Sequence, residues 1–209
     1  MDKSAIILAG GPSKYFGHGK GLINLANEPL ITWVINKVQD IVDEIIVCLK
    51  DDSQIPLYSQ VLPEASRMIV DDKGFPECSL RGAYTGLMNA KGKYSIILPC
   101  DTPFISGRLV GLLFDIAVGV NAVVPRWPNG YIEPLQAVYR TEAALDAAKR
   151  SLKTGKYNMQ AMIALLKNVR YLSTLVIKEI DPEMCTFMNI NTPLDLKRAE
   201  ALIKKRILI

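Results

Sequence analysis

Ser4-Ala5-Ile6-Ile7-Leu8-Ala9-Gly10-Gly11 is the stretch that decides the fold. A short apolar run stops at two glycines, which is the pattern of a buried strand meeting a loop. The same pattern returns downstream. Glu44–Leu49, Met68–Val70, Tyr94–Leu98, Asn121–Pro125 and Pro134–Tyr139 read as further strands. Between them lie segments of helical spacing. Leu30, Ile31, Val34, Ile35, Val38 and Ile41 recur with a helical period, and Pro29 suits the first helical position. Leu80–Ala90, Ser106–Val118 with Ser106 as its cap, Thr141–Leu152, Met159–Leu166 and Thr192–Lys205 read as helices, and Tyr171–Ile180 reads as one or two strands. Strands separated by helices require right-handed crossovers and a mainly parallel sheet. The expectation is one α/β domain over residues 1–209, a doubly wound, mainly parallel sheet with helices on both faces. Ligands of such sheets sit beyond the carboxyl ends of the strands. Chemistry is therefore expected in the loops after Leu8, Leu49, Val70 and Leu98.

Bulk composition narrows the partners. The 209 residues include 25 basic and 21 acidic side chains, a net charge of only +4. A nucleic-acid partner needs a concentrated basic face, so none is expected, whereas anionic small molecules suit this balance. Lys197-Arg198 and Lys204-Lys205-Arg206 form the densest basic cluster and read as the solvated face of the last helix. No apolar stretch approaches the ~20 residues of a membrane helix, and the start does not look like a signal peptide, so a cytoplasmic protein is expected. Four cysteines, Cys48, Cys78, Cys100 and Cys185, and a single histidine, His18, show no zinc spacing. Cys48 and Cys100 fall in or beside apolar runs and read as core; Cys78 falls in a loop.

Two segments carry the plainest chemistry. The first loop continues Pro12-Ser13-Lys14-Tyr15-Phe16-Gly17-His18-Gly19-Lys20. Glycines leave backbone amides unshielded, and successive amides in such a turn form an anion nest. Lys14 and Lys20 add charge on either side, which suits a triphosphate. The spacing matches neither the dinucleotide fingerprint nor the Walker loop. The second segment, Ile96-Ile97-Leu98-Pro99-Cys100-Asp101-Thr102-Pro103-Phe104, delivers one carboxylate to the sheet edge. Mg2+ favours a few carboxylates together with phosphate oxygens, so Asp101 facing the first loop reads as its ligand.

Other segments leave alternatives open. Asp71-Asp72 can accept hydrogen bonds from a base or ribose, or can form a turn with Lys73-Gly74. In Pro125–Leu135, Trp127 and Tyr131 can flank a flat ring or pack on the rim, and Arg126 can meet a phosphate. Phe187–Asn191 has strand character that would point Asn189 and Asn191 the same way, with Thr192 capping the helix that follows.

Together these segments resemble the molybdenum cofactor guanylyltransferases of the MobA type, within the Rossmann-like nucleotide-diphospho-sugar transferase fold. The resemblance runs from residue 4 to about residue 200. It rests on Leu8-Ala9-Gly10-Gly11, Lys20, Cys100-Asp101-Thr102-Pro103-Phe104, Glu133-Pro134-Leu135-Gln136-Ala137-Val138-Tyr139 and Asn189-Ile190-Asn191-Thr192-Pro193. It implies a Mg2+-dependent transfer of GMP from GTP to molybdopterin, with molybdenum-cofactor insertion or target proteins as further partners. The backbone of Leu8, Ala9, Gly10 and Gly11 would hold the nucleotide, with Lys20 on its phosphates and Asp71 as a further nucleotide contact. Asp101 would hold Mg2+, and Lys20, Asp101 and Lys14 would form the catalytic set. Glu133, Pro134 and Leu135, with Asn189 and Asn191, would receive the pterin. A second glycine in Leu-Ala-Gly-Gly resembles the GTP enzymes rather than the related cytidylyltransferases. Alternatives are another nucleotide such as CTP, another acceptor such as a sugar phosphate, or a non-catalytic nucleotide-binding regulator. The sequence departs from the family pattern at several positions. Lys14-Tyr15 stands for an Arg pair, Gly19 for an Asp, Cys48 for an Asn, and Cys78-Ser79-Leu80-Arg81-Gly82 for Gly-Pro-Leu-Ala-Gly.

Overall fold

A computed structural model describes residues 2–11 and 19–207, with side chains through residue 205. In chain order its strands are β1 (Lys3–Leu8), β2 (Asn24–Leu25), β3 (Glu28–Pro29), β4 (Glu44–Leu49), β5 (Ser66–Val70), β6 (Tyr94–Pro99), β7 (Ala122–Arg126), β8 (Ala137–Arg140) and β9 (Val169–Ser173). Its helices are α1 (Leu30–Val38), α2 (Ile55–Tyr58), α3 (Ser79–Asn89), α4 (Gly107–Ala117), α5 (Thr141–Lys153), α6 (Met159–Ala164), α7 (Thr174–Ile180) and α8 (Pro193–Ile207).

Seven strands form one sheet in the order β5-β4-β1-β6-β8-β7-β9. Every pairing is parallel except those of β8, which runs against both β6 and β7. The opening strand sits between two parallel partners, with Ile6 opposite Ile46 and Ile97. Ala5, Ile6 and Ile7 are fully buried because both faces of the sheet are covered. Successive side chains point to opposite faces. Ala5, Ile7 and Ala9 join the cluster containing Val34 and Ile35 of α1 and Leu109 and Leu113 of α4. Ile6 joins the cluster containing Leu80, Ala83 and Leu87 of α3 with Ala144 and Ala148 of α5. Gly86 permits that second contact, since a Cβ there would lie 2.2 Å from the Ile6 Cγ2.

The doubly wound α/β architecture and most of its expected elements are present. Ser106 caps α4 through its hydroxyl, which accepts from the Leu109 amide. Three expectations need correction. Tyr171–Ile180 is not all strand: β9 ends at Ser173 and α7 follows. Thr174, Val176 and Ile177 are β-branched and favour a strand locally. The Ser173 hydroxyl caps the helix, and Ile177 is driven into the core, which overrides that preference. Phe187–Asn191 is not a strand either; a 3-10 turn, Cys185–Phe187, leads into irregular backbone. Finally, Pro29 ends β3 with an extended ψ of 143°, and α1 begins one residue later.

Two small elements carry little sequence signal. The β2–β3 hairpin turns through Ala26 and Asn27, both with positive φ (51° and 67°), where Ala is an unusual choice. Leu25 and Leu30 then pack with Phe104, Ile190 and Ala199, which fastens α8 to the sheet. The four-residue α2 presents the fully buried Tyr58.

Candidate active site

The carboxyl ends of β1 and β6 lie side by side, so the Ala9–Gly11 loop and the Pro99–Thr102 turn face each other across the sheet edge. Close backbone approach fixes the first loop. A Cβ on Gly10 would lie 2.8 Å from the Lys50 amide nitrogen, so only glycine fits without a shift. The Ala9 amide donates to the Cys48 carbonyl at 2.9 Å, and the Tyr58 hydroxyl donates to the Ala9 carbonyl at 3.2 Å. The same phenol closes against the far side of the loop: Cβ atoms on Gly19 and Gly21 would sit about 3 Å from its oxygen. Tyr58 thus pins both ends of the first loop at once, and burial raises its pKa.

Lys20 starts a 3-10 turn, Lys20–Leu22, that brings its ammonium over the edge of β6. The Nζ donates to Asp101 Oδ2 at 3.2 Å and also to Asn191 Oδ1. Asp101 is mostly buried, and its carbonyl accepts from the Ile190 amide at 2.9 Å, which ties the segment before α8 to the β6 turn. Asn191 is placed by the start of α8. The Asp195 carboxylate accepts from the amides of Asn191 and Thr192, and the Thr192 hydroxyl accepts from the Asp195 amide. This reciprocal cap, with Thr192 in the expected role, holds the Asp195 carboxyl below its ordinary pKa, chiefly through the Thr192 hydroxyl.

These groups share one cavity of about 530 Å³. Leu8, Gly10, Gly11, Lys20, Asp101, Glu133, Pro134, Leu135, Asn189 and Asn191 all line it. Residues about 180 positions apart in sequence therefore meet where the two sets of expected contacts should meet. Ala9 does not line the cavity; its backbone polar groups are engaged inside the protein. Lys14 lies outside the described residues, with the whole of 12–18. Asp71 is set back from the cavity. It is buried, its Oδ2 lies 3.5 Å from Arg81 Nη2, and its Oδ1 has no hydrogen-bond partner. Burial raises its carboxyl to about 6 although Arg81 pulls the other way. Gly82 is the wall between them, since a Cβ there would touch both Asp71 oxygens at 3.5 Å.

The aromatic segment divides its roles. Tyr131 lines the cavity. Trp127 instead packs on Phe187 with ring centroids 5.6 Å apart and donates from Nε1 to Glu133 Oε1 at 2.7 Å. Burial raises the Glu133 carboxyl, partly offset by that bond. Arg126 stacks over the Tyr171 ring at 5.2 Å, away from the cavity.

Sequence reading did not assign site roles to the start of α3 or to Gln136. Glu77, Cys78, Ser79 and Gly82 line the cavity beside Gly10. Cys78 caps α3, its Sγ accepting from the Arg81 amide at 3.4 Å. Cysteine is not a favoured cap, so its position carried no terminus signal. Cys48 and Cys100 also contribute to the wall, and burial raises both thiols well above their ordinary range, leaving them protonated.

Comparison with known proteins agrees with this fold. Residues 5–169 match the MobA-like NTP transferase domain. A molybdenum cofactor guanylyltransferase of Desulfosudis oleivorans is 33% identical, with 96% of each chain covered. A relative from Methanosarcina mazei, named "Probable molybdenum cofactor guanylyltransferase", is 31% identical over 98% of this chain and 93% of its own. The crystal structure of molybdopterin-guanine dinucleotide biosynthesis protein A from Archaeoglobus fulgidus superposes with a TM-score of 0.81 at 29% identity, covering 97% of this chain and 99% of that one. A cytidylyltransferase of Thermus thermophilus shares the fold at 18% identity and a TM-score of 0.71.

Proposed function

The chain belongs to the MobA-like NTP transferase family, and on that premise we propose that it transfers GMP from GTP to molybdopterin. A terminal phosphate oxygen of the pterin attacks the α-phosphorus of GTP in line. The new P–O bond forms as the bond to the β-phosphate oxygen breaks, and pyrophosphate leaves with that electron pair. The observation that carries this reading is Lys20. Its ammonium joins Asp101 to Asn191 inside a cavity bounded by Gly10-Gly11 on one side and Glu133–Leu135 on the other.

Little covalent chemistry falls to the protein in such a transfer. The residues must align two anions that repel each other and offset the charge that builds on the leaving group. Gly11 leaves room for phosphate oxygens close to the backbone, since a Cβ there would meet nothing within 4 Å, while Gly10 lets the loop close against Lys50. Lys20 supplies a positive charge movable from Asp101 to a phosphate.

Mg2+ fits the donor set. Among the described residues no group of three or more His, Cys, Asp or Glu could hold a metal by itself. One mostly buried carboxylate, Asp101, faces the cavity, and Mg2+ with triphosphate characteristically needs only one or two protein carboxylates. Bound there, the ion would neutralise phosphate oxygens.

Pyrophosphate release measured with GTP, CTP, UTP and ATP against molybdopterin tests the reading. GTP is expected to be used preferentially, and Asp101→Ala is expected to lower kcat roughly 10²-fold or more. Preference for CTP would overturn the guanylyl assignment. Undiminished turnover of Asp101→Ala would overturn the role of Asp101.

A further inference from the structure

Gln136 lines the cavity and is 97% buried, since only 3% of its surface is exposed. Its side-chain nitrogen donates to the Thr186 carbonyl at 2.8 Å. A carbonyl can only accept, so this contact fixes which end of the amide is nitrogen and which is oxygen. The oxygen, Oε1, is left without a hydrogen-bond partner. A buried acceptor without a donor is unfavourable, and native proteins rarely keep one without reason.

Glu133, three residues earlier, has a related arrangement. Trp127 Nε1 donates to its Oε1, and among the described residues no protein group donates to its Oε2. One short segment of cavity wall therefore carries two side chains, each with an acceptor oxygen that no protein group satisfies. Both are immobilised from behind: Glu133 by an indole that packs on Phe187, Gln136 by a carbonyl one residue before Phe187. Thr186 is itself fixed, its amide donating to Asp181 at 2.7 Å and its hydroxyl accepting from the Ser106 amide at 3.1 Å.

We propose that Gln136 is a specificity-determining residue for the acceptor substrate, its Oε1 accepting a hydrogen bond from an N–H on the edge of the acceptor's heterocycle beside Glu133. The inference rests on the acceptor being a pterin, as set out above. It assigns no role to Gln136 in the chemical step or in nucleotide binding.

Two variants separate the oxygen from the nitrogen. Gln136→Met keeps length and removes both polar atoms. Gln136→Glu keeps an acceptor oxygen but cannot donate to Thr186. Initial rates are measured with GTP and molybdopterin, with urea midpoints alongside. For Gln136→Met, the KM for molybdopterin is expected to rise about tenfold, the effect of one lost hydrogen bond at the strong end. Its kcat and its KM for GTP should stay within about twofold. For Gln136→Glu, the urea midpoint should fall while the KM for molybdopterin stays near the wild-type value. An unchanged acceptor KM in Gln136→Met would overturn the proposal. So would an equal rise for both substrates, or a rise in Gln136→Glu as large as in Gln136→Met. If Gln136→Met does not fold, Gln136→Leu takes its place, and the same outcomes decide. Failure of the wild-type protein to use molybdopterin would overturn the functional reading itself, and this proposal with it.

Discussion

Replacing Lys20 with Met should move two properties in opposite directions. The substitution keeps the length of the side chain and removes only the ammonium. Asp101 Oδ2 then loses a positive partner at 3.2 Å, and Asn191 Oδ1 loses its donor. Coulomb attraction at that distance is about 1.3 kcal/mol in a water-like dielectric and about 5 kcal/mol at an effective constant of 20. The Lys20 side chain is 28% exposed and the Asp101 side chain 10%, so solvent screens the pair and the lower part of that range applies, about 1–2 kcal/mol. A divalent ion competes with Lys20 for the same carboxylate in the free protein. Without the ammonium, Mg2+ or Mn2+ should bind the free protein about tenfold more tightly, since 1.4 kcal/mol is one decade. Turnover should nonetheless fall roughly 10²-fold or more, because the phosphates have lost a stabilising charge. Isothermal titration with Mn2+ in the absence of nucleotide reads the first effect, and pyrophosphate release reads the second. Weaker metal binding in Lys20→Met would refute the exchange, and so would turnover within tenfold of the wild-type value.

The remaining predictions concern the frame of the site. Asp71 keeps its proton in the folded protein up to about pH 6, above its ordinary 3.8, so the folded state binds the extra proton between those values. Stability should therefore fall as pH rises through that window and level off above it, and Asp71→Asn should remove this slope; urea midpoints at pH 4.5 and 7 that keep their difference would contradict it. Gly10→Ala forces a Cβ to 2.8 Å from the Lys50 nitrogen and should cost about 1–3 kcal/mol with weaker GTP binding; a wild-type melting temperature would show that the loop yields freely. Tyr58→Phe leaves the Ala9 carbonyl without its hydroxyl donor and should destabilise by about 1–3 kcal/mol and raise the KM for GTP, whereas a stable variant with unchanged KM would deny that Tyr58 organises the loop.

The legible parts of this protein are those where local pattern and global demand agree. β1 and β6 read as buried strands because both faces of the sheet are covered, and Gly10, Asp101 and Lys20 could be assigned because strand ends at one sheet edge are where ligands gather. Asn189 and Asn191 are put on the acceptor side by the resemblance, while the strand that would point them the same way is absent. They reach the cavity from irregular backbone held by the Asp195 cap, not by strand alternation. What stayed hidden depended on distant partners. Nothing near Tyr58 announces that its hydroxyl will close on Ala9, 49 residues earlier. The role of Gln136 likewise depends on a carbonyl 50 residues later, and Asp71 is set back from the cavity by its pairing with Arg81, where the family pattern has a small residue.

The reversed direction of β8 has a consequence for how such a site can diversify. Because β7 leaves the sheet at the edge where β8 enters, residues 127–136 form an arch anchored at both feet by the same hairpin. Lengthening or shortening that arch leaves the strand register intact. The loops after β1 and β6, by contrast, end parallel strands whose helical crossovers run along both faces of the sheet. The arch residues that line the cavity, Tyr131 and Glu133 to Gln136, can thus change without disturbing the loops that end the parallel strands.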